Sequence, residues 1–216
     1  MKRAFTYDPP TAPLEIIHQD DDIIVINKPS GLLSVPGKTE PDCAEARIKA
    51  LHSEALTIHR LDMATSGLLV FALTPQAQRH IGLQFEKRII KKSYLARVVG
   101  AVKGESGCVN LPLICDWPNR PRQMVCIETG KTAKTDWVVL NRTDKTTRIA
   151  LHPITGRSHQ LRVHMLAIGH PILGDRLYAD EETFKAAQRL QLHAHQLELR
   201  RPTGGEWLSL EAPCPF

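Results

Sequence analysis

The sequence predicts an α+β protein with a mixed, mostly antiparallel central sheet flanked by helices. Two observations carry that prediction. Short apolar and β-branched runs of strand length outnumber the helical patterns, and they arrive in runs, not in strict βαβ alternation. The elements follow in order. Residues 1–15 read as a loose arm, because Pro9, Pro10 and Pro13 block a helix. Ile23-Ile24-Val25-Ile26 is a strand that enters a turn at Asn27-Lys28-Pro29-Ser30-Gly31, and Ala44 to Leu51 is a short helix. Leu68 to Leu73 has the length and composition of a buried strand. Thr74 and Pro75 then open a helix as N-cap and first residue, running to about Arg88 with Ala77, Ile81 and Phe85 on its core face.

From Ser93 the pattern turns to strands, at Tyr94–Val99, Thr135–Leu140 and Thr147–Leu151. Ser158 is placed to cap a helix from His159 to about Ile168, with Leu161 and Met165 on one stripe and Arg162 beside it. Glu181 to Leu190 reads as a further helix. Leu192–Leu199 and Trp207–Leu210 read as closing strands. No internal repeat or low-complexity segment interrupts the pattern.

Bulk properties narrow the function class. A chain of 216 residues can bury roughly 70% of its unfolded surface. Five scattered cysteines with no C-x-x-C pair signal neither a disulfide framework nor a zinc ribbon. Met1-Lys2-Arg3 is followed by no apolar run, and no stretch approaches a membrane span, so a soluble cytoplasmic protein is expected. The net charge is +5, from 28 Lys and Arg against 23 Asp and Glu. Its distribution says more than its size. Lys87, Arg88, Lys91, Lys92 and Arg97 cluster, Arg120 and Arg122 sit in a Pro-rich loop, and Arg157 and Arg162 flank one motif. Such clusters suit a polyanion, because cations on phosphates gain affinity by releasing counterions. They equally suit ordinary solvated faces.

The most informative segment is His59-Arg60-Leu61-Asp62-Met63-Ala64-Thr65-Ser66-Gly67-Leu68-Leu69. It sets a carboxylate between a cation and a Thr-Ser-Gly turn, just before a buried strand. An Asp before a turn is ordinary turn chemistry, so the segment alone does not decide. Its wording resembles the H-R-L-D-x-x-T-S-G-L-L element of the RluA-type pseudouridine synthases. Asn27–Gly31 resembles that family's N-K-P-x-G element, and Lys92-Ser93-Tyr94-Leu95-Ala96 its K-x-Y-x-A strand. Gly156-Arg157-Ser158-His159-Gln160-Leu161-Arg162-Val163-His164 resembles its G-R-x-H-Q-L-R-x-H element and is followed by Gly169-His170-Pro171-Ile172-Leu173-Gly174-Asp175. The likeness runs from about Ile24 to Tyr178. Leu111 to Pro121 is close to a segment of the family's dual-specificity member, which acts on 23S rRNA and tRNA anticodon stem-loops.

The resemblance implies the pseudouridine synthase fold with a catalytic cleft, and an isomerase that detaches uracil from C1′ of the ribose and rejoins it through C5. It implies Asp62 as the essential catalytic residue. A carboxylate suits attack on C1′ or removal of the C2′ proton, and the sequence admits both routes. Arg162 is implied as its ion-pair partner, since a nearby guanidinium holds a carboxylate ionised. Tyr94 is implied to pack on the target base and assist at C5, although most strand tyrosines are core aromatics. Leu161 would wall the same pocket, with a core role the plain alternative. Arg60 would face the RNA and fill the space of a flipped-out uridine. His59 and Lys92, in the same two motifs, complete the expected substrate contacts. Larger relatives carry an N-terminal S4-type module, and a pattern starting near Ile24 leaves no room for one. A single catalytic domain over 1–216, with no S4 domain, is therefore expected.

No cofactor is expected. Gly100, Gly104 and Gly107 lack the spacing and Lys of a phosphate loop, no G-x-G-x-x-G occurs, and no H-E-x-x-H or helical His pair at i, i+4 offers a metal site. The expected partner is structured RNA and neither a membrane nor a nucleotide cofactor. A monomer is expected, because no heptad or apolar surface stripe is present. Three alternatives stand beside the synthase. One is a noncatalytic RNA-binding or ribosome-assembly protein on the same fold, another a synthase acting on only one RNA class. A metal-dependent nuclease is the third, and it lacks the required carboxylate and His clusters.

Overall fold

The computed structural model describes residues 6–216. The chain folds into two compact units, one reaching through Lys92 and joined by His193–Pro215, the other formed by Ser93–Leu192 with Phe216. In chain order the first unit contains β1 (Glu15–Gln19), β2 (Ile23–Lys28), α1 (Ala44–Lys49), β3 (Leu56–Thr57), β4 (Ser66–Ala72) and α2 (Pro75–Glu86). The division falls within β5 (Lys91–Val99). The second unit continues with β6 (Ser106–Asn110), β7 (Leu113–Cys115), β8 (Gln123–Val125), β9 (Lys134–Arg142) and β10 (Thr146–Pro153), then α3 (Gln160–Ala167) and α4 (Glu181–Lys185). The first unit is resumed in β11 (Leu192–Arg200) and β12 (Trp207–Glu211).

Within the first unit β1, β2, β4, β11 and β12 lie side by side, and β3 also pairs with β4. The β4–β11 pair is parallel, with His193 opposite Ser66 and Ala194 opposite Gly67. The other pairings of this unit are antiparallel. All seven residues of β4 are buried, as its apolar run predicts. Alternation then sorts its neighbours: Ile23, Val25, Leu68, Val70, Leu197 and Leu199 form one core with Ile81 of α2. The Thr74 hydroxyl caps α2 by accepting from the Ala77 N–H at 3.1 Å. Gln84 is buried on the same helix because it mates with a strand end, donating to the Arg200 carbonyl and accepting the Arg200 N–H, both at 2.8 Å. The segment before β1 is tied down through Tyr7, whose hydroxyl donates to Asp42 O and accepts from Leu33 N.

The second unit stacks β5, β10, β9 and β6 in that order, all antiparallel, with a separate β7–β8 hairpin. Gly107 of β6 lies opposite Trp137, where a Cβ would run into the indole ring. Two expectations need correction. Ser158 does not cap α3. His159 precedes the helix with φ of 55° and no side-chain cap, and Gln160 Oε1 accepts the Arg157 N–H instead. The helix from Glu181 stops at Lys185, well short of Leu190, with Asp180 as its N-cap. The chain after it turns to lay the Arg189 and Leu190 backbone against Gly174, where φ is 72° and any Cβ would collide.

The candidate active site

Asp62 sits on the loop ahead of β4, and the residues around it explain why that loop keeps one shape. Its carbonyl accepts the Thr65 N–H at 3.0 Å, closing the turn the sequence implies. Lys28 is wholly buried at the end of β2. Its ammonium donates to the carbonyls of Pro29 (2.9 Å), Leu32 (2.7 Å) and Met63 (3.1 Å). A buried cation needs such oxygens to offset its lost hydration, so Lys28 binds the two loops together. Ser30 Oγ donates to Ala64 O at 2.7 Å, and the Gly31 N–H donates to Met63 O at 2.9 Å. Ser34 Oγ donates to Leu61 O and accepts the Leu61 N–H. The Leu61 N–H and carbonyl and the Met63 and Ala64 carbonyls, on either side of Asp62, are thus gripped by the Asn27–Ser34 stretch.

The Thr-Ser-Gly turn grips the other side. Ser66 Oγ lies 2.8 Å from His193 Nδ1, and His193 Nε2 lies 3.2 Å from Ala212 O. A carbonyl only accepts, so Nε2 carries the proton and Nδ1 accepts from the serine. Gly67, with φ of 108°, is packed so closely on Ala194 that a Cβ would meet its backbone. The two histidines that alternate on β11 are thereby accounted for, since His195 Nδ1 also donates to Ala212 O at 2.8 Å. Among the described residues no group of His, Cys, Asp or Glu is arranged to hold a metal ion.

His59 is spoken for within the same unit. Its Nε2 accepts the Val70 N–H at 3.1 Å, and its ring tilts against Phe85 with centroids 4.8 Å apart. Burial, reinforced by the charge of Lys92, lowers its pKa to about 4. A neutral ring with its proton on Nδ1 is the form that keeps the Val70 bond. Lys92 lies over the Phe85 ring at 5.9 Å, and burial pushes its own pKa down. Arg60, between His59 and Leu61, is exposed.

The second unit carries Tyr94, Leu161 and Arg162. Tyr94 is half-buried in β5, opposite Leu151 of β10. Arg162 is 4% exposed and forms a bidentate pair with Asp175, Nε to Oδ2 at 2.8 Å and Nη2 to Oδ1 at 2.7 Å. Asp175 also accepts the backbone N–H groups of Leu177 and Tyr178, so it fixes the guanidinium plane. Helix α3 is itself anchored by a closed polar network. Gln160 Oε1 accepts from Thr155 Oγ1 and Arg157 N, and its amide donates to Lys134 O and Thr135 Oγ1. His164 Nε2 donates to Leu111 O, so its Nδ1 accepts from the Thr135 hydroxyl at 2.9 Å. Leu161, which follows Gln160 on α3, is buried.

A model of the RNA pseudouridylate synthase family matches residues 22–167. The chain belongs to that family. This synthase is 55% identical over 214 residues to the dual-specificity RNA pseudouridine synthase RluA of Escherichia coli strain K12, covering 97% of this chain and 98% of the relative. It is 54% identical over 215 residues to the Pasteurella multocida protein of the same name, covering 98% of each. Its fold is similar to that of human RNA pseudouridylate synthase domain containing 1, with a TM-score of 0.82 and 28% identity over 97% of this chain and 87% of that one. A second human member, domain containing 4, gives 0.75 and 28%, over 93% of this chain and 88% of its own. The enzyme is therefore an isomerase acting on RNA, on an α+β fold with a mostly antiparallel sheet.

The motifs alone do not reveal Lys28, Ser34 and His193 as supports of the Asp62 loop in the first unit, or Asp175 and Tyr178 as partners of Arg162 in the second. Lys28 and Asp175 did lie inside quoted motifs, but a motif names residue types and not their partners.

Proposed function

We propose that this synthase isomerises uridines in both 23S rRNA and tRNA anticodon stem-loops, as a cytoplasmic monomer without a cofactor. The carrying observation is 55% identity, across 97% of the chain, to a relative named for dual specificity. Asp62 is the catalytic carboxylate, on a loop whose backbone is held by Lys28, Ser30 and Ser34. The N1–C1′ bond breaks, the uracil turns, C5 bonds to C1′, the C5 proton is lost to solvent, and the freed N1 takes up a proton, so the product is an isomer of the substrate. Asp62 acts by attack on C1′ or by taking the C2′ proton, and both need it ionised. Arg162, oriented by Asp175, is its counterion. Tyr94 packs on the uracil and Leu161 walls the pocket, while Arg60 enters the space of the flipped base and Lys92 lines its approach; His59 is committed instead to Val70 and Phe85. Extrusion costs a few kcal/mol, which an exposed guanidinium in the vacated stack offsets.

The test is a map of pseudouridines in ribosomal RNA and tRNA from cells lacking the protein. Loss at a 23S rRNA hairpin and at a tRNA anticodon loop is the expected result. Loss in one RNA class alone overturns dual specificity, and loss in neither favours a noncatalytic RNA-binding protein.

A further inference from the structure

We propose that Tyr178 is a positioning residue that clamps the β7–β8 hairpin to the helix bearing Arg162, so that RNA held by the hairpin sets the place of that guanidinium. The proposal rests on Arg162 serving the catalytic carboxylate of a synthase. The hydroxyl of Tyr178 accepts the N–H of Gln123, the first residue of β8, at 2.7 Å. The same oxygen lies 2.7 Å from Nδ1 of His159, the residue that opens α3. The ring is bracketed as well. The Arg162 guanidinium lies over it at 5.0 Å and the Arg122 guanidinium at 5.3 Å, both within cation–π range. His159 meets it edge-on, with centroids 5.6 Å apart.

Packing makes the same connection. Leu113 and Val125 of the hairpin share a small core with Val163 of α3 and with Tyr178. The Tyr178 N–H donates to Asp175, the carboxylate that orients Arg162. One buried tyrosine therefore touches the hairpin, the start of the helix, the arginine and the arginine's carboxylate.

The hairpin has the chemistry to meet RNA. Its tip exposes Trp117, with Arg120 stacked on the indole at 4.5 Å. Arg122 Nε is shielded from solvent and has no hydrogen-bond acceptor among the described residues. A buried donor without a protein acceptor is costly, and a bound phosphate or base edge would satisfy it. Pulling on Arg122 pulls on the ring that also carries Arg162.

Tyr178→Phe keeps the ring under both guanidiniums and deletes the hydroxyl joining hairpin to helix. The assay is tritium release in single turnover, with enzyme in excess over [5-³H]uridine rRNA and tRNA from cells lacking the protein. Its enzyme dependence separates the maximal rate from the half-saturating concentration. Tyr178→Phe is expected to lower the maximal rate about tenfold, a loss of about 1.4 kcal/mol in barrier stabilisation, with half-saturation within about threefold. Arg122→Ala is expected to slow the wild type more than the Tyr178→Phe background, where the ring contact survives but the hydroxyl link is gone, because linked residues are not additive. His159→Gly, which suits a φ of 55° and removes the ring partner, is the second variant, and should slow the same step at an unchanged melting temperature. A Tyr178→Phe enzyme with the wild-type maximal rate overturns the proposal, as does an equal effect of Arg122→Ala in both backgrounds. Absence of release from the wild type itself would instead overturn the synthase assignment on which the proposal stands.

Discussion

His59 shows what a motif residue becomes once its neighbours are known. Its Nε2 accepts from Val70, its ring rests on Phe85, and its pKa falls from 6.5 to about 4. Below pH 6.5 the unfolded chain takes up a proton that the folded site refuses. The stability contributed by the neutral ring is therefore complete above pH 6.5 and is lost as the pH falls toward 4. Urea unfolding of wild type and His59→Gln should show the wild-type advantage shrinking by about 1–2 kcal/mol between pH 7 and pH 5. An advantage of the same size at both pH values would contradict this. Motif wording identified Asp62 and Arg162 as candidates, because a carboxylate before a turn and an arginine in H-Q-L-R are local patterns. It could not reveal that Arg162 is held by Asp175, or that Lys28 binds the loop after Asp62. Lys28 finds its partners among carbonyls the fold brings together, and Arg162 finds a carboxylate thirteen residues along the chain.

Elements whose ends rest on local chemistry were legible, and those ended by distant contacts were not. Thr74-Pro75 caps α2 as the sequence implies, because capping needs only a hydroxyl three residues before an N–H. Helix α3 escaped the same logic at Ser158, since its start is organised by Gln160 reaching to Thr155, Lys134 and Thr135. Strand β6 gave little signal because Gly107 is there to make room for Trp137, a partner thirty residues away. The Thr135 hydroxyl is the joint of the α3 network: it accepts from Gln160 and donates to His164. Thr135→Val keeps the shape and removes one bond from each partner, from the Gln160 amide and from His164 Nδ1. It should lower stability by about 1–3 kcal/mol, read from the denaturation midpoint at unchanged slope. A change under about 0.5 kcal/mol would mean that α3 is held by its apolar contacts alone.

At the scale of the molecule, the family assignment and the α+β class were both legible, since four ordered motifs and the runs of strands spread over most of the chain. The division into two units was not, because it falls inside one continuous strand, between Lys92 and Ser93 of β5, where no proline or glycine marks it. The catalytic candidates are distributed across that division, with Asp62 in one unit and Tyr94 and Arg162 in the other. Each unit secures its own: buried Lys28 and His193 around Asp62, buried Asp175 and Gln160 around Arg162. Rigid support of a few reacting groups, with basic side chains supplying affinity for the polyanion, is the arrangement expected of an isomerase acting on RNA. In the proposed mechanism Asp62 performs the chemistry while the residues around it bind and position RNA. Tritium release from C5-labelled rRNA and tRNA by Asp62→Asn, with RNA affinity measured alongside, tests it most directly. Abolished release, with affinity within about threefold of wild type, is the expected result. Appreciable turnover by Asp62→Asn would contradict it.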